Sequence, residues 1–108
     1  MGVFDFFFGK STLQKVIDEL NENNLGPQAN LLKSGSYSSF TEDRKRMECD
    51  ALKKMYDLKQ PAANESLNRF KWARDICKKH EYSEGVGFMQ NYVDIYDIYL
   101  KEYCKEKI

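Results

Sequence analysis

Histidine and proline are scarce in this chain, and neither sign of charge is in excess. There is one His and there are two Pro in 108 residues, and seventeen Lys and Arg balance seventeen Asp and Glu. A net charge of zero gives no overall field to draw in nucleic acid or an anionic membrane. With a single imidazole, a metal site would need clustered thiols or carboxylates. The three cysteines, Cys49, Cys77 and Cys104, stand far apart and form no CxxC pair. That excludes a zinc knuckle and a disulfide framework, and they read as reduced thiols used as small apolar residues in a cytosol. No apolar run approaches the length of a membrane span. The start carries no basic segment ahead of an apolar one, as a secretion signal would, and Gly2 lacks the Ser or Thr at position 6 that myristoylation wants. A cytoplasmic location is therefore expected.

Motifs for chemistry are equally sparse. Gly85-Val-Gly87 is too short for a phosphate loop and has no Lys-Ser/Thr after it. Gly9-Lys10-Ser11 matches the end of a Walker A motif, but Phe4 stands where its first Gly belongs. Cys77 and His80 are three apart, a spacing that permits a thiol–imidazole pair. No oxyanion site or orienting third group accompanies them, so a structural Cys beside a solvated His is expected. The acids are scattered among bases and assemble no ligand set. No catalytic residue, cofactor or metal is expected, and the chain does not read as an enzyme.

What is present is a core. The chain is 42% hydrophobic and 14% aromatic, with seven Phe, seven Tyr and one Trp, which suits one domain over residues 1–108 and argues against disorder. The apolar pattern is helical. Phe4, Phe7 and Phe8 make a short face ending at Gly9, expected to close onto the core. Ser11-Thr-Leu-Gln14 reads as a capping box opening a helix with Leu13, Val16, Ile17 and Leu20 inward, stopped by Asn21 to Asn24. Gly26-Pro27 suits a second start, with a short helix closed near Gly35 and a mobile loop over 34–39. Ser39-Phe-Thr-Glu42 reads as a second capping box, for a helix reaching nearly to Pro61 with Phe40, Met47, Ala51, Met55 and Leu58 inward and Tyr56 outward. A central helix follows from Pro61 or Asn64 to about His80. Its stripe of Ala63, Leu67, Phe70, Ala73 and Cys77 is widened by Trp72 and Ile76. Gly85 and Gly87 read as a connection, and a last helix runs from Phe88 to about Lys105. The expectation is all-α, a compact bundle of four to five helices.

Two surfaces invite a partner. Tyr92, Tyr96, Tyr99 and Tyr103 fall at i, i+4, i+7 and i+11, and a buried Tyr needs a partner for its hydroxyl. Either the rings lean on the core with hydroxyls at the rim, or they form an exposed binding face. In the second case Asp94, Asp97 and Glu102 would supply charge specificity, and the face would meet another protein or a second copy as a homodimer. Residues 42–82 carry eleven Lys and Arg against eight acids. Arg44, Lys45 and Arg46 with Arg69, Lys71, Arg74, Lys78 and Lys79 are the candidate nucleic-acid patch. The interleaved acids weaken it, and a solvated helix face is the expected reading.

The opening Met1-Gly-Val-Phe-Asp-Phe-Phe-Phe-Gly-Lys10 resembles the starts of small bacterial cytosolic proteins, including immunity proteins encoded beside contact-dependent or secreted toxins. The resemblance covers about ten residues. It implies a protein that neutralises a toxin domain by occluding its surface. It transfers no individual site residue, and the balanced charge departs from the acidity expected of an inhibitor facing a cationic nuclease.

Overall fold

In the computed structural model, residues 11–34 and 39–104 are described. They form five helices and no strand: α1 Thr12–Glu22, α2 Gly26–Ser34, α3 Glu42–Tyr56, α4 Gln60–Lys79 and α5 Ser83–Tyr103. The all-α bundle read from the pattern is the fold. The expected face at Phe4, Phe7 and Phe8 lies outside the described residues, as do residues 35–38 of the expected loop.

α4 and α5 form the central hairpin. Phe70 stacks on Tyr92 at 4.9 Å and Arg74 donates to Gln90 at 2.9 Å, so the two helices run antiparallel. On one side lie α1 and α2, whose Val16, Ile17, Leu20, Ala29 and Leu32, with Leu25 between the two helices, join Leu67, Phe70, Ala73, Ile76, Phe88 and Val93 in the larger apolar cluster. On the other, α3 packs on α5 over a smaller one, in which Phe40, Cys49, Ala63, Ile95, Tyr99 and Cys104 meet. Tyr92 and Leu100 touch both clusters, so α5 is the shared wall.

The helix ends follow local chemistry, with corrections to the pattern. Ser11 caps α1, its Oγ accepting from the Gln14 amide at 3.1 Å. The expected box is only half made, because the Gln14 side chain donates to Asp18 instead. α3 is capped by Thr41, not Ser39; its Oγ1 accepts from the Arg44 amide at 3.1 Å. α3 also stops earlier than expected. Asp57 turns left-handed at φ 47°, its side chain is taken by Lys53, and residues 57–59 are not helical.

The last helix starts at Ser83, five residues before the expected Phe88. Gly85 is therefore no connection. It is a buried position in the first turn of α5, where a Cβ would stand 2.6 Å from Cys77 Sγ and 2.7 Å from Tyr82 Cδ2. The two helices of the hairpin can approach this closely only without a side chain there.

On α4 the stripe Ala63, Leu67, Phe70, Ala73 and Cys77 is buried as read, with Ile76. Trp72 is not part of it and stays 48% exposed. The larger correction is α3. Its inward residues are Cys49, fully buried, and the half-buried Leu52 and Lys45. The expected inward row of Met47, Ala51 and Met55 faces solvent, with Met47 70% and Met55 67% exposed. At about 100° per residue, that row lies nearly opposite Cys49.

Candidate functional site

The tyrosine stripe had two readings, rings on the core or an exposed partner face, and Tyr92, Tyr96 and Tyr99 lie on or in the core. Tyr92 is wedged among rings: stacked on Phe70, and edge-on to Phe40 at 5.9 Å and to Phe88 at 5.4 Å. Tyr96 also stacks on Phe70, at 5.6 Å, and hydrogen-bonds Ser66. Tyr99 is fully buried, its hydroxyl donating to the Leu58 carbonyl at 3.0 Å. Burial pushes all three phenols above their ordinary value. Only Tyr103 is exposed, at 39%, and its hydroxyl donates to Asp50 at 2.7 Å. The four tyrosines thus form no continuous exposed face, because α3 and α4 take the ground on which such a face would stand.

The acids chosen with them are divided in the same way. Asp94 is bound from two sides, by Lys45 Nζ at 2.7 Å and Gln90 Nε2 at 2.8 Å. With Arg74 donating to Gln90, this chain of side chains ties α4, α5 and α3 together. Its contact with Asp94 raises the Lys45 pKa. Glu102 lies 3.5 Å from Arg46, both half-exposed. Asp97 alone of the three acids has no ion pair among the described residues.

Most of the basic residues are also compensated within the fold, Lys71 and Lys78 having no ion pair among the described residues. Arg44 pairs with Glu48, Arg69 with Glu65, and Lys79 with Glu19. Arg74 stands 3.5 Å from Asp75. Each neighbouring carboxylate opposes a phosphate that the base would attract.

The Cys77–His80 pair is not assembled. Cys77 is fully buried and burial pushes its thiol up to about 11, while His80 Nε2 is 2.8 Å from Glu19 Oε1. Among the described residues, no group of three or more His, Cys, Asp or Glu is arranged to hold a metal ion. No helix among them is long and apolar enough to cross a membrane.

Among the described residues, α3 carries the most exposed of the large apolar side chains. Met47, Ala51 and Met55 form an apolar row at i, i+4 and i+8, with no helix of the described residues covering it. Beside it the row Glu48, Leu52 and Tyr56 forms one wall of a cleft of about 440 Å³ between α3 and α4. Phe70 closes the far wall, and Tyr92, Ile95 and Tyr96 of α5 make the floor. Tyr56 stands at the rim, 61% exposed. A helix that packs inward through Cys49 and Leu52 and also carries an apolar row on its opposite side has two faces to satisfy. Among the described residues, only one of them is satisfied.

The chain matches no family model, no curated protein and no solved structure. The surface of α3 and the cleft beside it are therefore read from their own chemistry. The row had a signal in the sequence, its i, i+4, i+8 spacing; what the sequence did not carry was its direction.

Proposed function

We propose that the protein is a protein-binding module whose contact surface is the outer row of α3 together with the apolar cleft it borders. The observation that carries this reading is the uncovered Met47–Ala51–Met55 row opposite the packed face of the same helix. Methionine suits such a surface, since its unbranched, polarizable side chain adapts to an irregular partner. Tyr56 at the cleft rim offers an aromatic anchor with a polar tip. The resemblance of the first ten residues to immunity proteins makes the concrete form an inhibitor that occludes a toxin domain, and the α3 row is where that domain would rest. Of the residues first considered, Tyr103, Glu102 and Asp97 remain accessible enough to join the rim. Tyr99 acts as core.

The tagged protein, used as bait in lysate of its own source at low and high salt, tests this. One stoichiometric protein retained at high salt, and lost by the Met47→Lys/Met55→Lys variant with unchanged helical circular dichroism, supports the reading. Growth rescue of cells expressing that partner would make it an immunity protein. Nucleic acid recovered only at low salt, or capture indifferent to the double variant, contradicts it.

A further inference from the structure

A second surface lies away from α3, along the outer side of α4. Asn64, Asn68 and Trp72 follow one another at i, i+4 and i+8, all exposed. Facing them across an open groove of about 580 Å³ is the turn between α1 and α2, with Asn23 and Asn24. Arg69 holds the two walls together. Its Nη1 donates to the Asn24 carbonyl at 3.0 Å and its Nη2 to Glu65 at 3.1 Å. Asn24 sits left-handed at φ 62°, which presents that carbonyl to Arg69.

The groove has three properties that together select a ligand. The side-chain amides of Asn24, Asn64 and Asn68 are engaged by no group among the described residues, and each offers a donor and an acceptor. The Asn23 amide nitrogen is spent on the Glu19 carbonyl at 2.8 Å, leaving its oxygen as an acceptor. The two charges lining the groove, Arg69 and Glu65, are paired at 3.1 Å and cancel, so the lining carries no net charge and matches an uncharged ligand. Finally, four helical residues rise about 6 Å, close to the roughly 6.6 Å spanned by two residues of extended chain. Asn64 and Asn68 therefore stand in step with alternate peptide units of a strand lying along α4. Trp72, a further turn on, meets the side chain two residues later.

We infer that this groove binds an extended, uncharged peptide segment of another protein, its backbone held by the Asn64 and Asn68 amides and one apolar side chain seated on Trp72. Main-chain hydrogen bonds provide the affinity, and the indole provides the selectivity. Arg69 is a positioning residue, fixing the wall opposite. The site is separate from the α3 row and does not depend on it.

Trp72 is the only tryptophan in the chain, so its emission reports on this groove alone. The probe is a displayed library of linear heptapeptides selected on the intact protein, the enriched peptides then being titrated singly. Uncharged sequences that shift Trp72 emission on binding are expected. They should lose about tenfold or more in affinity against Asn64→Ala/Asn68→Ala and be unaffected by Met47→Lys/Met55→Lys. Both pairs of substitutions are at exposed positions and should keep the circular dichroism signal. Failure to enrich any peptide overturns the inference. So does binding that leaves Trp72 emission unmoved, or binding lost only in the α3 variant. A saturable Trp72 response to neutral oligosaccharides without one to peptides also overturns it, by assigning the groove to sugars.

Discussion

The hydroxyl of Tyr99 donates to the carbonyl oxygen of Leu58 at 3.0 Å, joining the last helix to the segment between α3 and α4. Leu58 lies in the non-helical stretch before α4, and its carbonyl accepts from this donor and from the more distant Cys104 thiol at 3.8 Å. Tyr99→Phe keeps the ring but leaves a part-buried acceptor with only the distant thiol, and should cost about 1–2 kcal/mol in urea unfolding. Tyr99→Ala should cost about 3–5 kcal/mol, as for other large buried aromatics. Tyr103→Ala, at the exposed end of the same stripe, should stay within about 1 kcal/mol.

Gly85 gives a second test of packing. Gly85→Ala should lower stability by about 1–3 kcal/mol, because the new methyl meets Cys77 Sγ and the Tyr82 ring. Gly87 has nothing within 4 Å of its Cβ position. Gly87→Ala should therefore stabilise α5 by about 0.5–1 kcal/mol through helix propensity. Thermal melts of the two variants should move in opposite directions.

Glu81 closes α4 in the left-handed region at φ 56°, a conformation that costs an ordinary L residue about 1–2 kcal/mol. It is exposed. Glu81→Gly should raise the melting temperature, by relieving more than glycine's added unfolded-state entropy takes back.

Acid stability should depend on Glu19. Hydrogen bonds from Lys79 and then His80 hold its carboxyl below the ordinary 4.5, so the unfolded chain takes up this proton more readily than the folded one. The stabilisation is complete above the unfolded value and is lost as pH falls through the lowered folded one. Glu19→Gln should be less stable than the parent near neutrality, and the gap should close as pH is taken down through that window. Urea midpoints across the acid range check it.

Much of the fold was legible where one helix face is apolar and the other is not. Val16, Ile17 and Leu20 of α1 could be placed because no second arc competed with them; the α4 stripe from Ala63 to Cys77 could be placed too, but its wide apolar arc also drew in Trp72, which stays exposed. On α3 two arcs did compete. Met47, Ala51 and Met55 are more apolar than Lys45, Cys49 and Leu52, yet the second set faces inward. Polar contacts help to fix its direction, Lys45 to Asp94 and Tyr103 to Asp50, across 49 and 53 residues of sequence respectively. Local periodicity has no access to partners that remote. The tyrosine stripe stayed between its two readings for the same reason: its spacing is visible, but the Leu58 acceptor that holds Tyr99 in the core is 41 residues away. Gly85 read as a loop because a glycine chosen for close helix approach looks like one chosen for a turn. The buried Asn91, whose Oδ1 accepts from the Phe40 amide at 3.1 Å, gave no signal at all.

The most direct test of the α3 surface is calorimetric titration of the captured partner against two variants. One is Met47→Lys/Met55→Lys; the other is Asp97→Ala/Tyr103→Ala, at the exposed remnant of the tyrosine stripe. A loss of about a hundredfold or more for the first pair, from lost apolar contact and desolvated charge, with only a few-fold change for the second, is the predicted result. Undiminished binding by the first pair, or a larger loss from the second, would contradict the assignment and return the contact to the face of α5.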